Sequence, residues 1–363
     1  QTLVVALVVT TLTLSTTSSA KIGDTLAVTA TLRESGGNPL SGQKVVFALN
    51  STTLGEAMTS QSGVASLTFK LAVPPGTYVA KALYIGSERY QGSENSVVVI
   101  INPYRLTVTS AVALAPLVSL NGSSYVTDSS GKVTIPINAT GRYTLKVNSP
   151  LLLSPGKRAV FMQWADGTTS HSRTVDIDSD QAFTVNTKNQ FHLTVNPNGG
   201  IAIGEGWYDG GSTAFANATS PCNVVQDRSR LKFMKWSGDS TSTSNSVSFK
   251  MDSPRNVTAN WVTQYYLKVI SEYGKPQGEG WYDAGSSIEF SVTSPLGLFI
   301  QQVFTGWSGD SSASTPSTTI VINGPKTVTA KWQTDYTQLI IVGVAAAAVT
   351  VAVVIAIIRR RTS

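Results

Sequence analysis

The residues able to do acid–base, nucleophilic or metal chemistry are few and scattered. The two histidines, His171 and His192, stand 21 positions apart in different sequence neighbourhoods, and the single cysteine, Cys222, is near neither. Zinc needs several His or Cys ligands at characteristic spacings, and no such set is present. A serine nucleophile needs a base and a strained turn to present it, and no nucleophile-elbow pattern accompanies either histidine. Asp176, Asp178 and Asp180 alternate along one stretch and could line one side of a calcium site, but the glycine and terminal glutamate of an EF-hand loop are missing. They read instead as solvated carboxylates near a strand end, and Cys222 as a small, partly buried hydrophobe. The expectation is therefore no catalytic site, no cofactor and no metal.

The elements around these residues point to β-structure. Only 13% of the residues are charged, and Ser, Thr, Val and Gly fill the space, a composition that favours strands and turns. At 363 residues the chain is too long for one ordinary core. One cysteine rules out an intrachain disulfide, so the modules must hold by packing and hydrogen bonding. Of the net charge of +6, three positive charges lie in the cluster Arg359, Arg360, Arg361. The remainder forms no basic stripe with interleaved aromatics, which excludes a nucleic-acid partner.

Leu339 to Ile358 is a charge-free run rich in Val, Ile and Ala. As a helix it would be roughly 30 Å long, the thickness of a bilayer core. Arg359–Arg361 come at once after it, and the positive-inside rule puts them in the cytoplasm with residues 359–363 and everything before Leu339 outside. No LPxTG or PGF-type sorting motif precedes the run, so a permanent single-pass anchor is expected, with membrane lipid as its partner.

Repeats divide the rest. Gly204-Glu205-Gly206-Trp207-Tyr208-Asp209 recurs as Gly278-Glu279-Gly280-Trp281-Tyr282-Asp283, about 74 residues on, and Trp236-Ser237-Gly238-Asp239 recurs as Trp307-Ser308-Gly309-Asp310. These fix modules at 191–264 and 265–335. A weaker copy, Phe161-Met162-Gln163-Trp164, lies in a third unit at 103–190, where Thr187 replaces the second tryptophan of the later modules. Trp236 and Trp307 are expected in the cores. Trp-Ser-Gly-Asp reads as a turn closing a strand, with Asp239 and Asp310 accepting local backbone hydrogen bonds. Because neighbours on a strand face opposite ways, one member of each pair Trp207/Tyr208 and Trp281/Tyr282 is a candidate surface contact. Residues 10–102 show short alternating strands with Gly/Pro turns, the pattern of a sandwich. Leu3 to Val9 reads as the last strand of a missing upstream domain, or a signal remnant. Asn50, Asn121, Asn138, Asn217 and Asn256 occupy Asn-x-Ser/Thr sequons and are candidate glycosylation acceptors.

Lys21 to Leu32, the turn Asn38-Pro39-Leu40-Ser41-Gly42, and Gly63-Val64-Ala65 before Pro75-Gly76-Thr77-Tyr78 resemble the bacterial Ig-like domains of surface adhesins of the invasin and intimin type. The Gly-Glu-Gly-Trp-Tyr-Asp and Trp-Ser-Gly-Asp modules resemble the divergent InlB B-repeats of bacterial and archaeal surface proteins. The resemblance implies an all-β chain: tandem Ig-like sandwich and small β-rich repeat modules, then one C-terminal transmembrane helix. It implies a membrane-anchored extracellular stalk or adhesion protein presenting upstream domains, with surface proteins or glycans as candidate partners. The rival from another class is the membrane tether of an extracellular protease or glycosidase whose catalytic domain lies upstream. Receptor signalling is disfavoured by the two residues after the arginines.

Overall fold

A computed structural model describes residues 6–361. Among these residues, apart from one C-terminal helix, Thr337–Arg361, every regular element is a strand. The chain divides into two compact units, one running to residue 154 and including 158–189, the other comprising 155–157 and residues from 190 onward.

The first unit opens with a sandwich. Thr10–Ser15, Thr25–Glu34 and Val64–Lys70 form one sheet, and Ser19–Lys21, Gln91–Asn102, Gly76–Gly86, Lys44–Leu49 and Thr52–Met58 form the other, in that order. Leu26, Val28, Ala30 and Leu32 sit at every second position of one strand, and all are fully buried. Period-two alternation is what a strand with one face on a core requires. Of the segment 1–9 read as an upstream strand, residues 1–5 lie outside the described residues. Val8 donates its N–H to the Arg89 carbonyl (2.9 Å), and Ser35 donates to the Val9 carbonyl (2.9 Å). Val8 and Val9 thus extend the pairing of the first domain. The rest of this unit pairs Lys132–Ile137 with Tyr104–Ser110, which runs parallel to the start of Gln181–Asn196. A second sheet orders Ser123–Tyr125, Val118–Leu120, Gly141–Val147 and Ser172–Ile177.

In the second unit each repeat is built the same way. Its first strand lies parallel to its last: Leu193 pairs with Arg255 in one module, and Leu267 with Lys326 in the next. The last strand also pairs antiparallel with the strand carrying the Trp-Ser-Gly motif, Ser229–Gly238 or Gln301–Gly309. A short sheet covers the other side, Ala202–Ile203 with Thr213–Ala218 and Ser246–Lys250 in the first module, Ser287–Ser291 with Ser317–Val321 in the second.

The tryptophan spacing has a backbone explanation. Phe233 and Trp236 are three apart, so a regular strand would send them to opposite faces. The register slips there, Phe233 opposing Trp261 and Lys235 opposing Asn260, so Met234 is an inserted residue. Such a bulge re-aims the side chains beyond it. Both aromatic rings then face the core while Met234 is exposed. Thr305 plays the same part between Phe304 and Gly306. Trp236 and Trp307 are buried, and their indole N–H groups donate to the Ser244 and Thr315 carbonyls at 3.0 and 3.1 Å. Trp164 repeats the arrangement with Ser170 (2.9 Å).

The motif Trp-Ser-Gly-Asp is not a turn. Trp236, Ser237 and Gly238 are still laddered, to Ala259, Thr258 and Val257. Asp239 comes next and accepts the backbone N–H of Asn256 (2.6 Å), as Asp310 accepts that of Thr327 (2.7 Å). Each carboxylate therefore clasps the neighbouring strand, 17 residues away, and not its own loop.

Trp236→Ala and Trp307→Ala should each cost ~3–5 kcal/mol as large-to-small core changes, whereas Met234→Ala, on the exposed bulge, should stay within ~0.5 kcal/mol. Chemical denaturation of the three variants checks this. Wild-type midpoints for the tryptophan variants would contradict the core assignment.

Candidate interaction and anchoring sites

The duplicated Gly-x-Gly-Trp-Tyr-Asp segment separates its two aromatics by face. Tyr208 and Tyr282 pack against their module cores, and their hydroxyls donate to the carbonyls of Gly204 (2.8 Å) and Gly278 (3.0 Å), four residues back. Those glycines are needed for close approach. A Cβ on Gly204 would lie 2.0 Å from the Phe215 carbonyl oxygen, and one on Gly278 would lie 2.6 Å from that of Glu289. The same tyrosine tie occurs twice in the first unit, from Tyr78 to Pro74 (2.8 Å) and from Tyr143 to Ala139 (2.7 Å). A Gly-x-Tyr triplet marks all four, at Gly76, Gly141, Gly206 and Gly280. That signal is present in the sequence but escapes notice because its middle residue varies.

Trp207 and Trp281 lie on the opposite strand face and are half-buried. Trp207 meets His192 edge-on at 5.0 Å. Trp281 meets Tyr266 at 5.2 Å and carries the Arg230 guanidinium over its ring at 4.6 Å, a favourable cation–π distance. Arg230 also donates to the Gln264 side-chain oxygen (2.7 Å), and Gln264, itself buried, donates to Asp283 (2.7 Å). Glu279 accepts from the Tyr266 hydroxyl (2.9 Å) and the Val269 amide (3.0 Å). The hydrogen bond to Glu279, with burial added, holds the Tyr266 phenol above its ordinary range. These side chains bind one repeat to the next: Arg230 comes from the first, Trp281 and Asp283 from the second, and Gln264 from the strand they share.

The other candidates disperse. Asp176 pairs with Arg142 (3.0 Å), while Asp180 pairs with Lys21 and accepts the Arg105 amide (2.9 Å). Among the described residues no group of three or more His, Cys, Asp or Glu converges on a point. His171 lies 4.8 Å from the Phe161 ring, while the corresponding Phe233 and Phe304 meet Trp261 and Trp332 instead. His192 contacts Thr194 (3.1 Å), and Cys222 is buried.

Of the sequon asparagines, Asn50, Asn121, Asn138 and Asn256 are exposed and Asn217 is half-buried. Asn50 and Asn121 sit at positive φ in tight turns. Each donates its amide to a neighbouring strand and accepts from the same residue through its side-chain oxygen, Val79 for one and Thr144 for the other. That geometry commits the oxygen and leaves the side-chain nitrogen out of the pairing.

The helix Thr337–Arg361 is apolar all round, with no buried residue, and is long enough to cross a membrane. It includes the run Leu339 to Ile358 and ends on Arg359, Arg360 and Arg361. Only Tyr336 separates it from the preceding strand, Lys326–Asp335. Asp335 accepts the Thr337 hydroxyl and amide (2.8 Å for the amide). Those two bonds hold its carboxyl below the usual range.

The fold is thus that of an all-β modular chain of Ig-like and repeat domains. Residues 12–102 match the bacterial Ig-like domain (group 3), and residues 191–264 and 265–335 each match the divergent InlB B-repeat domain; these segments belong to those two families. Domains of these kinds are typically non-catalytic. Comparison with curated proteins gives no match. Among solved structures, the Yersinia pseudotuberculosis adhesin InvE is 17% identical over 46% of this chain and 58% of its own, with a TM-score of 0.22. A putative membrane anchored protein from Corynebacterium diphtheriae is 12% identical over 88% of this chain and 58% of its own (TM-score 0.23). A Salmonella alpha-2-macroglobulin mutant is 11% identical over 90% of this chain and 27% of its own (TM-score 0.22). The chain spans a little over half the length of the first two.

Gln264→Ala should cost ~1–3 kcal/mol, because it leaves Arg230 and Asp283 without their partner in a partly buried seam. Native-state hydrogen exchange read at the hydrogen-bonded amides of Trp236 and Trp307, one in each repeat, should show both losing stability. A loss confined to one repeat, or to neither, would mean that the seam does not couple them.

Proposed function

We propose that this chain is a membrane-anchored extracellular stalk, whose β-modules hold N-terminal segments away from the cell surface and offer their faces to surface proteins or glycans. The carrying observation is the anchor. A helix with a charge-free run of about bilayer length comes after the last module with a single residue between them and ends in three arginines. The positive-inside rule assigns the arginines to the cytoplasm and the modules to the outside. With so short a connection, the last repeat stands at the membrane surface.

The modules suit a mechanical role. Their duplicated residues are the tryptophans, tyrosines and glycines that pack, tie and fit strands, and a working active site would not ordinarily be copied twice in one chain. The segment itself is assigned no catalytic activity, no metal and no nucleic-acid partner. The exposed sequon asparagines are proposed acceptors of glycan where the host supplies the machinery.

Protease added to intact cells expressing the full chain should remove the modules and leave a small membrane-bound fragment containing the helix. Complete protection of the modules, with digestion only after lysis, would overturn the orientation.

A further inference from the structure

The last repeat carries a surface feature that its neighbour lacks. In the 265–335 module the loop before the tryptophan strand closes where Leu296 and Gln302 exchange backbone hydrogen bonds (3.0 and 2.8 Å). Gly297 makes the turn tight: its φ is +99°, and a Cβ there would lie 2.2 Å from the Ile300 carbonyl oxygen. The tip so formed displays Leu298, Phe299 and Ile300, which are 82%, 52% and 49% exposed. From Ser294 through Phe304 there is no charged residue. The corresponding tip of the preceding repeat exposes Val224 and Val225 but continues into Gln226, Asp227 and Arg228. Three adjacent large apolar side chains in water are costly without a partner.

Strand register says where this tip points. Gln301, next after Ile300, pairs with Asp335, and Gln302 pairs with Thr334. Asp335 is the residue whose carboxylate accepts the Thr337 amide at the start of the helix. Tip and helix therefore leave the module from the same end, one register position apart. Tyr336, 52% exposed, lies between them, and tyrosine is a residue of membrane interfaces.

We propose that Leu298, Phe299 and Ile300 dip into the headgroup and acyl boundary of the outer leaflet crossed by the chain's own helix. The inference rests on the reading of that helix as membrane-spanning. The module would then be held at two points, the helix and the loop, which fixes its tilt and stops rotation about Tyr336. The ligand is lipid, since the tip is apolar and uncharged and its place beside the helix start is continuous with the span.

The test uses the full chain in phosphatidylcholine vesicles, with Cys222→Ala removing the native thiol. An environment-sensitive fluorophore is attached at Leu298→Cys or, in a second variant, Phe299→Cys. Val225→Cys reports the preceding tip, and Ala347→Cys the middle of the helix. The expected result is a blue-shifted probe at 298 and 299, quenched by lipids bearing a nitroxide near the headgroup and several-fold less open to iodide than the probe at 225. If the 347 probe is quenched by chain-end nitroxide lipids while 298 and 299 stay open to iodide, the loop inference is overturned and the spanning helix stands. Probes at 298 and 299 hidden from iodide but untouched by nitroxide lipids would place the tip against protein, such as a second copy, and overturn it equally. A 347 probe open to iodide would sink the spanning reading and this inference with it.

Discussion

The repeats depend on one shared strand. Arg255–Ile270 closes one module and opens the next, and at Gln264 and Tyr265 it has a neighbour from each: Arg230 and Ser229 on one side, Asp283 and Tyr282 on the other. Backbone groups must be paired when they leave water. A strand hydrogen-bonded on both edges by different modules cannot bend or swivel there without breaking ladder bonds of both. The Arg230–Gln264–Asp283 line and the Trp281–Tyr266 contact close the same face with side chains. Coupling between these modules is thus a property of the sheet, where a flexible Gly/Ser linker would have left two beads on a string.

This constraint organises the recurring residues. The Phe–Trp pair fills each core only because a bulge turns both rings inward, and the aspartate after the motif clasps the far strand at its first paired residues. The tyrosine ties fix the second strand, and glycine provides room where backbones come close. With a single cysteine in the chain, hydrogen bonds and aromatic packing take over what disulfides supply in small disulfide-rich domains.

Much of this is legible in the residues. A near-copy at about 74 residues marks both repeats and their bounds, alternation reveals the sandwich, and an uncharged run ending in arginines marks the helix. Pairing is what the residues do not disclose. Whether Trp236 and Phe233 share a face depends on a slip relative to Trp261 and Asn260, residues far along the chain, and nothing local to Met234 announces it. The Asp239 partner escapes a local reading for the same reason: a carboxylate after a glycine usually serves its own turn, but here Asn256 is brought against it by the sheet. Val8 and Val9 resemble a final strand in composition, yet their hydrogen bonds go to Arg89, Gln91 and Ser35 of the first domain. Strand alternation alone sets Trp207 and Trp281 on the face opposite their tyrosines, but it takes the geometry to show that Arg230 and Tyr266 already occupy the Trp281 ring.

The shared strand can be tested amide by amide. In native-state hydrogen exchange, the amides across the middle of Arg255–Ile270, from Val262 to Leu267, should be protected as strongly as those of the core segments at Val257 and Val269, because opening them requires global loss of both modules. Protected ends around a rapidly exchanging middle would contradict the account, and would describe two independent modules joined by a hinge.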